Sequence, residues 1–205
     1  MRTEEIKNNI LFQLMNAEKN QELLEHVPHE LCMDLAFVFF YMTDWENGRK
    51  KVLLFNNTQM QQSGVTKEEL KKWSMENTPR LLPVSFHPMA DLLRDLRSED
   101  PPGTYPEQTR AAQVPMYVLT NIKMFLGAAC LFYPRVLASI GNALRSDFFI
   151  LPSSIHECII LPGTAYTRDE LGAIVHEVNT TQVPEQEILS DHVYFYQNST
   201  RKISK

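Results

Sequence analysis

The chain predicts an α+β fold: a mainly antiparallel sheet of about six or seven strands, built from strand-strand-helix units with helices packed on it. Three observations carry this. Short apolar runs come in close pairs, and such pairs run antiparallel because a parallel pair needs a long crossover. Two capping boxes, Thr66-Lys67-Glu68-Glu69 and Thr167-Arg168-Asp169-Glu170, each mark a helix start. The order strand-strand-helix recurs three times along the chain, without the fixed period of a solenoid.

Taken in order, Ile6, Ile10, Leu11 and Leu14 fall at helical spacing and predict an amphipathic helix over 3–17. Leu23, Leu24 and Val27 extend it until Pro28. Residues 35–42 are apolar throughout, short and aromatic, which predicts a strand covered on both faces and central in the sheet. A turn at 44–49, with its Asn47-Gly48 pair, leads to a second strand at 52–55. Val65 and Leu70 take the staple positions of the first capping box, and Leu81-Leu82-Pro83 ends that helix. Met89, Leu92, Leu93 and Leu96 predict a short helix with Pro88 at its first position. The stretch 98–114 holds Pro101-Pro102-Gly103 and Pro106, lacks periodicity, and reads as an exposed loop.

Residues 116–120 and 128–132 read as paired strands, followed by a helix opened by Pro134 and carrying Val136, Leu137, Ile140 and Leu144. Residues 148–151 and 158–161 form the next pair. Tyr166 and Leu171 staple the second capping box, and Leu171, Ile174, Val175 and Val178 form the apolar stripe behind it. A last strand spans 193–196.

The 205 residues favour one domain over 1–205, long enough to bury a core without staples. The net charge is −5, and 167–191 holds Asp169, Glu170, Glu177, Glu185, Glu187 and Asp191 against Arg168 alone. A phosphate backbone would be repelled there, which argues against a nucleic-acid partner. Cys32, Cys130 and Cys158 are an odd set without CxxC spacing, so we expect a reducing compartment and no metal. A charged, polar N-terminus is no secretory signal, and no apolar run reaches the ~20 residues of a membrane span. The expected location is the cytoplasm, with no membrane contact.

Chemistry concentrates in Leu151-Pro152-Ser153-Ser154-Ile155-His156-Glu157. A nucleophilic hydroxyl needs a base within hydrogen-bond reach and a carboxylate to orient that base. Neighbours in one tight loop rarely meet that geometry, and no G-x-S-x-G elbow surrounds either serine. The plainer reading is a hairpin connection whose serines satisfy loop backbone. His176-Glu177 and Asp191-His192 lack the H-E-x-x-H spacing of a zinc helix. Asn56-Asn57 and Asn121 follow strands and suit turns. No Gly-rich phosphate loop exists, so no cofactor is expected.

Several stretches together resemble a family of uncharacterised proteins from gut-type anaerobic bacteria, a domain of unknown function. They are 16–24, Val27-Pro28-His29, Asp34-Leu35-Ala36, Glu76-Asn77-Thr78, Met116-Tyr117-Val118-Leu119-Thr120-Asn121, Leu151 to Glu157, Glu177-Val178-Asn179-Thr180-Thr181-Gln182-Val183, and Leu189-Ser190-Asp191 with Val193-Tyr194-Phe195-Tyr196. The chain is similar to the C-terminal part of longer members. The resemblance implies no catalytic residues, since none are defined for that family.

We therefore expect a cytoplasmic, non-enzymatic module that binds a protein or a small ligand. The candidate binding residues are Asn121, Ser153, Ser154, His156, Glu157, Asn179, Ser190 and Asp191. The alternative is a hydrolase using Ser153 or Ser154, His156 as base, and Glu157 or Asp191 as orienter.

Overall fold

The apolar run at 35–42 decides where the fold is built. The computed structural model describes residues 3–46, 49–92, 115–152, 154–163 and 166–205. Its first half comprises α1 (Thr3–Asn9), β1 (Ile10–Asn16), α2 (Gln21–Leu24), β2 (His29–Cys32), β3 (Leu35–Glu46), β4 (Arg49–Leu54), α3 (Asn57–Ser63) and α4 (Lys67–Leu81). β3 is central, as expected. β1 pairs along one side from Ile10↔Tyr41 to Asn16↔Leu35, and β2 and β4 share the other side. Leu35, Phe37, Phe39 and Tyr41 enter the main core, Ala36 and Val38 pack on Leu24 and Val27, and Phe40 meets Leu82 and Leu126. Both faces of the strand are thus covered, which is why it reads as a continuous apolar run.

The helix expected over 3–17 is overturned beyond Asn9, where the chain becomes β1. Ile10 and Leu14 are four apart, but Ile10, Phe12 and Leu14 also alternate, and seven successive buried residues satisfy a two-faced strand better than a one-sided helix. The outer edge of β1 is closed by α4 rather than by another strand. Asn77 Nδ2 donates to Lys7 O (2.8 Å) and Ile10 O (3.0 Å), and Phe12 N–H donates to Thr78 Oγ1 (3.0 Å). Thr78 in turn donates to Ser74 O (2.7 Å). The helix itself starts where the first capping box predicts, with Val65 and Leu70 both buried. Asn56, read as a turn residue, caps the unforeseen α3 through Gln59.

The second half comprises β5 (Val84–Pro88), β6 (Tyr117–Asn121), a 3-10 segment (Gly127–Phe132), α5 (Val136–Leu144), β7 (Phe148–Leu151), β8 (Cys158–Pro162), α6 (Arg168–Thr181), a 3-10 turn (Glu185–Glu187), β9 (Tyr194–Gln197) and β10 (Lys202–Ser204). Its six strands run β10-β9-β7-β8-β6-β5, every neighbour antiparallel. The α+β class and the antiparallel pairing are as the sequence predicts, with the strands divided between this sheet and the four-stranded one.

Two expectations fail here. Pro88 closes edge strand β5 rather than opening a helix; Pro is tolerated at a sheet edge because no ladder donor is required there. Residues 89–92 are helical, while 93–114, including the loop expected at 98–114, and the Asn47-Gly48 pair lie outside the described residues. Nor is 128–132 a strand. It is a 3-10 segment reaching the first sheet, with Phe132 on Phe37 (ring centroids 4.7 Å apart) and Tyr133 on Phe12 (6.1 Å). Gly127 lets it approach, because a Cβ there would collide with Thr120 Oγ1, His156 O and Asn121 N. The main core takes residues from both sheets and from this segment. On the far face of the larger sheet, Phe149 and Leu151 pack on Leu171 and Val175 of α6. The buried stripe of α6 is Leu171, Val175 and Asn179, whereas Ile174 is exposed.

Candidate functional site

The β7–β8 connection ties itself into neighbouring backbone. Ser154 is buried. Its Oγ donates to Glu157 Oε1 (3.3 Å) and accepts from His156 N–H (3.0 Å), a local serine turn. His156 Nδ1 accepts Leu126 N–H (3.1 Å), which puts the ring proton on Nε2, 3.8 Å from Glu187 Oε1. The surrounding backbone is equally engaged. Thr120 Oγ1 donates to His156 O (2.8 Å), Ala128 N–H to Ile155 O (3.2 Å), and Ile155 N–H to Glu187 O (2.9 Å). Hydroxyl and imidazole are therefore neighbours without being a nucleophile–base pair: the serine touches the backbone of His156, and the ring nitrogen able to accept a proton is occupied. Ser153 lies outside the described residues.

Asn121 joins this cluster from the end of β6, fully buried. Its Oδ1 accepts Lys123 N–H (2.9 Å) and its Nδ2 donates to Phe125 O (2.7 Å), which shapes the loop carrying Met124. That loop, the β7–β8 connection and the end of α6 enclose an open cleft of about 340 Å³. Met124, Val183 and Pro184 give it apolar lining, and His156, Glu157, Gln182 and Glu187 give it polar lining.

Asn179, Ser190 and Asp191 assemble elsewhere, around a residue the sequence reading did not select. Asp34, in the turn between β2 and β3, accepts hydrogen bonds from Ser190 Oγ and from Tyr194 Oη (3.0 Å). His192 Nδ1 lies 3.4 Å from the same carboxylate and Lys205 Nζ 3.9 Å. Ser190 and Tyr194 are fully buried, and burial, reinforced by the Asp34 charge, pushes the Tyr194 phenol far above its ordinary range. Asn179 Nδ2 donates to Ser190 O (3.0 Å) and Asp191 Oδ1 (2.8 Å), and Asp191 also meets Lys19 (3.8 Å). This group joins the two sheets. Its one advance signal was an acidic residue placed immediately before a fully apolar strand.

Cys130 touches the first group only by donating its Sγ–H to Thr120 O (3.0 Å). Burial pushes the Cys130 thiol up to about 12 and the Cys158 thiol well above its usual value, so both behave as small apolar side chains. Among the described residues, no group of three or more His, Cys, Asp or Glu side chains is placed to hold a metal ion, and no helix is long and apolar enough to cross a membrane.

Fold and site together define a two-sheet antiparallel α+β protein whose conspicuous polar residues knit loops and sheets together. Over residues 1–198 the chain matches the family described as "Family of unknown function (DUF5688)", and it belongs to that family. No curated protein and no solved structure matches it.

Proposed function

We propose that this chain is a non-enzymatic protein-interaction module, bacterial and cytoplasmic, and that its recognition surface is the cleft beside the β7–β8 connection. The observation that carries this reading is the hydrogen bond from Leu126 N–H to His156 Nδ1. It occupies the nitrogen that a hydrolase would need as its base, and it fixes the connection and the Met124 loop against each other. A surface held in one conformation binds with little ordering cost, which suits recognition better than turnover. The acidic stretch 167–191 runs beside this surface and disfavours nucleic acid. The main core, drawn from both sheets, supports treating 1–205 as one domain.

The test is a broad panel of ester, peptide, phosphoester and glycoside substrates, run on the wild type and on Ser153→Ala and His156→Ala. No turnover above the buffer rate is expected. Turnover that disappears in either variant overturns the proposal in favour of a hydrolase.

A further inference from the structure

The same cleft carries a chemical preference. Met124 is 58% exposed on the loop that Asn121 holds, and Val183 and Pro184 face it as further apolar lining. The fixed charges in the lining, Glu157 and Glu187, are both negative. α6 also ends here: Thr181 is its last residue, Gln182 caps it, and its last turn holds no basic residue. The carbonyls of a helix C-terminus present about half a negative charge, and here no side chain of that turn offsets it. Lys123 stands on the Met124 loop but does not line the cleft.

We propose that the cleft receives a segment of a partner protein in which a Lys or Arg stands beside an apolar residue. The cation sits by Glu157, Glu187 and the end of α6; the apolar side chain packs on Met124 and Val183. This rests on the reading of the cleft as the recognition surface and adds the chemistry of what it recognises. Apolar contact holds the segment, and the one-signed charge selects it and speeds encounter. An acidic segment would meet two carboxylates and a helix C-terminus, so it is excluded by the same arrangement.

The experiment pans a random-peptide phage library on the full chain, then titrates synthetic versions of the recovered peptides by anisotropy and by amide chemical shifts. Peptides pairing Lys or Arg with Leu, Ile, Met or Phe are expected, with shifts at Met124, His156, Gln182 and Val183. Glu157→Gln combined with Glu187→Gln should weaken them roughly tenfold, and Met124→Ser, which removes the apolar contact without changing the charge, should weaken them too. Glu157→Gln keeps an oxygen within reach of Ser154 Oγ, Glu187→Gln leaves the bond from Ile155 N–H to the Glu187 backbone carbonyl untouched, and circular dichroism checks each fold. Peptides that map to the cleft but lack basic residues, or that ignore the double glutamine variant, overturn this inference and leave the recognition surface standing. Peptides that map elsewhere, or none recovered, overturn both.

Discussion

Removing the Asp34 carboxylate tests what holds the two sheets together. In Asp34→Ala, the hydroxyls of Ser190 and Tyr194 lose their acceptor. Both residues are fully buried, while the Asp34 side chain is 16% exposed, so solvent reaches only the outer part of the space it vacates. Each stranded buried donor costs about 1–3 kcal/mol. His192 and Lys205 are about half exposed, so their loss adds little. Two such donors sum to about 2–6 kcal/mol. Asp34→Asn keeps the shape and one carbonyl acceptor, and should lose about half of that. The assay is urea unfolding followed by far-ultraviolet circular dichroism and by the fluorescence of buried Trp73, with the midpoint shifting at constant slope. A double-mutant cycle with Tyr194→Phe should give a coupling of about 1 kcal/mol or more. A loss below 1 kcal/mol in Asp34→Ala, or a loss no larger than that of Lys205→Ala, would refute the reasoning.

Thr78→Val keeps the volume of the side chain but strands Phe12 N–H at the edge of β1, so the unfolding free energy from urea titration should fall by about 1–3 kcal/mol, and Thr78→Ser should restore most of it. Gly127→Ala should destabilise by about 1–3 kcal/mol or more, because the new methyl meets backbone of β6 and of the β7–β8 connection; amide shifts at Leu126 and His156 should move in the same variant. Hydrogen bonds from Thr167 hold the Glu170 carboxyl below the usual carboxylate range. Its contribution is therefore complete above the ordinary carboxylate value and is lost as pH falls through the lower folded value. Wild type should exceed Glu170→Gln in stability at neutral pH, and the gap should close on acidification; a gap that widens in acid contradicts the assignment.

What the sequence reveals here is what neighbours decide. Both threonine capping boxes form because all their atoms lie within four residues. β3, β7 and β8 are legible because an apolar run bounded by turns admits few other readings. β1 is not, since Ile10 and Leu14 fit two periods and only the pairing with β3 chooses between them. The 3-10 segment at Gly127 is missed because an unbroken buried run carries no period at all. The site divides in the same way. Asn121 is a turn residue, and the β7–β8 serine and histidine serve the hairpin, both readable from local chemistry. The partners of Asp34 are not legible in one dimension, although its place before an apolar strand is, since its hydrogen-bond donors stand 156 and 160 positions away.

The way α4 closes the edge of β1 sets a timetable for the chain as it is made. Tyr41, the last β3 residue to pair with β1, precedes Thr78 by about 37 residues, which a ribosome spans in roughly 2–7 s at ~5–20 residues per second. For that interval β1 can pair with β3 while its other side still offers free N–H and C=O groups. Such an edge attracts any strand that reaches it first, including the same strand of a neighbouring nascent chain. The emergence of Asn77 and Thr78 ends the exposure, so a helix late in the first half acts as a built-in chaperone for its earliest strand.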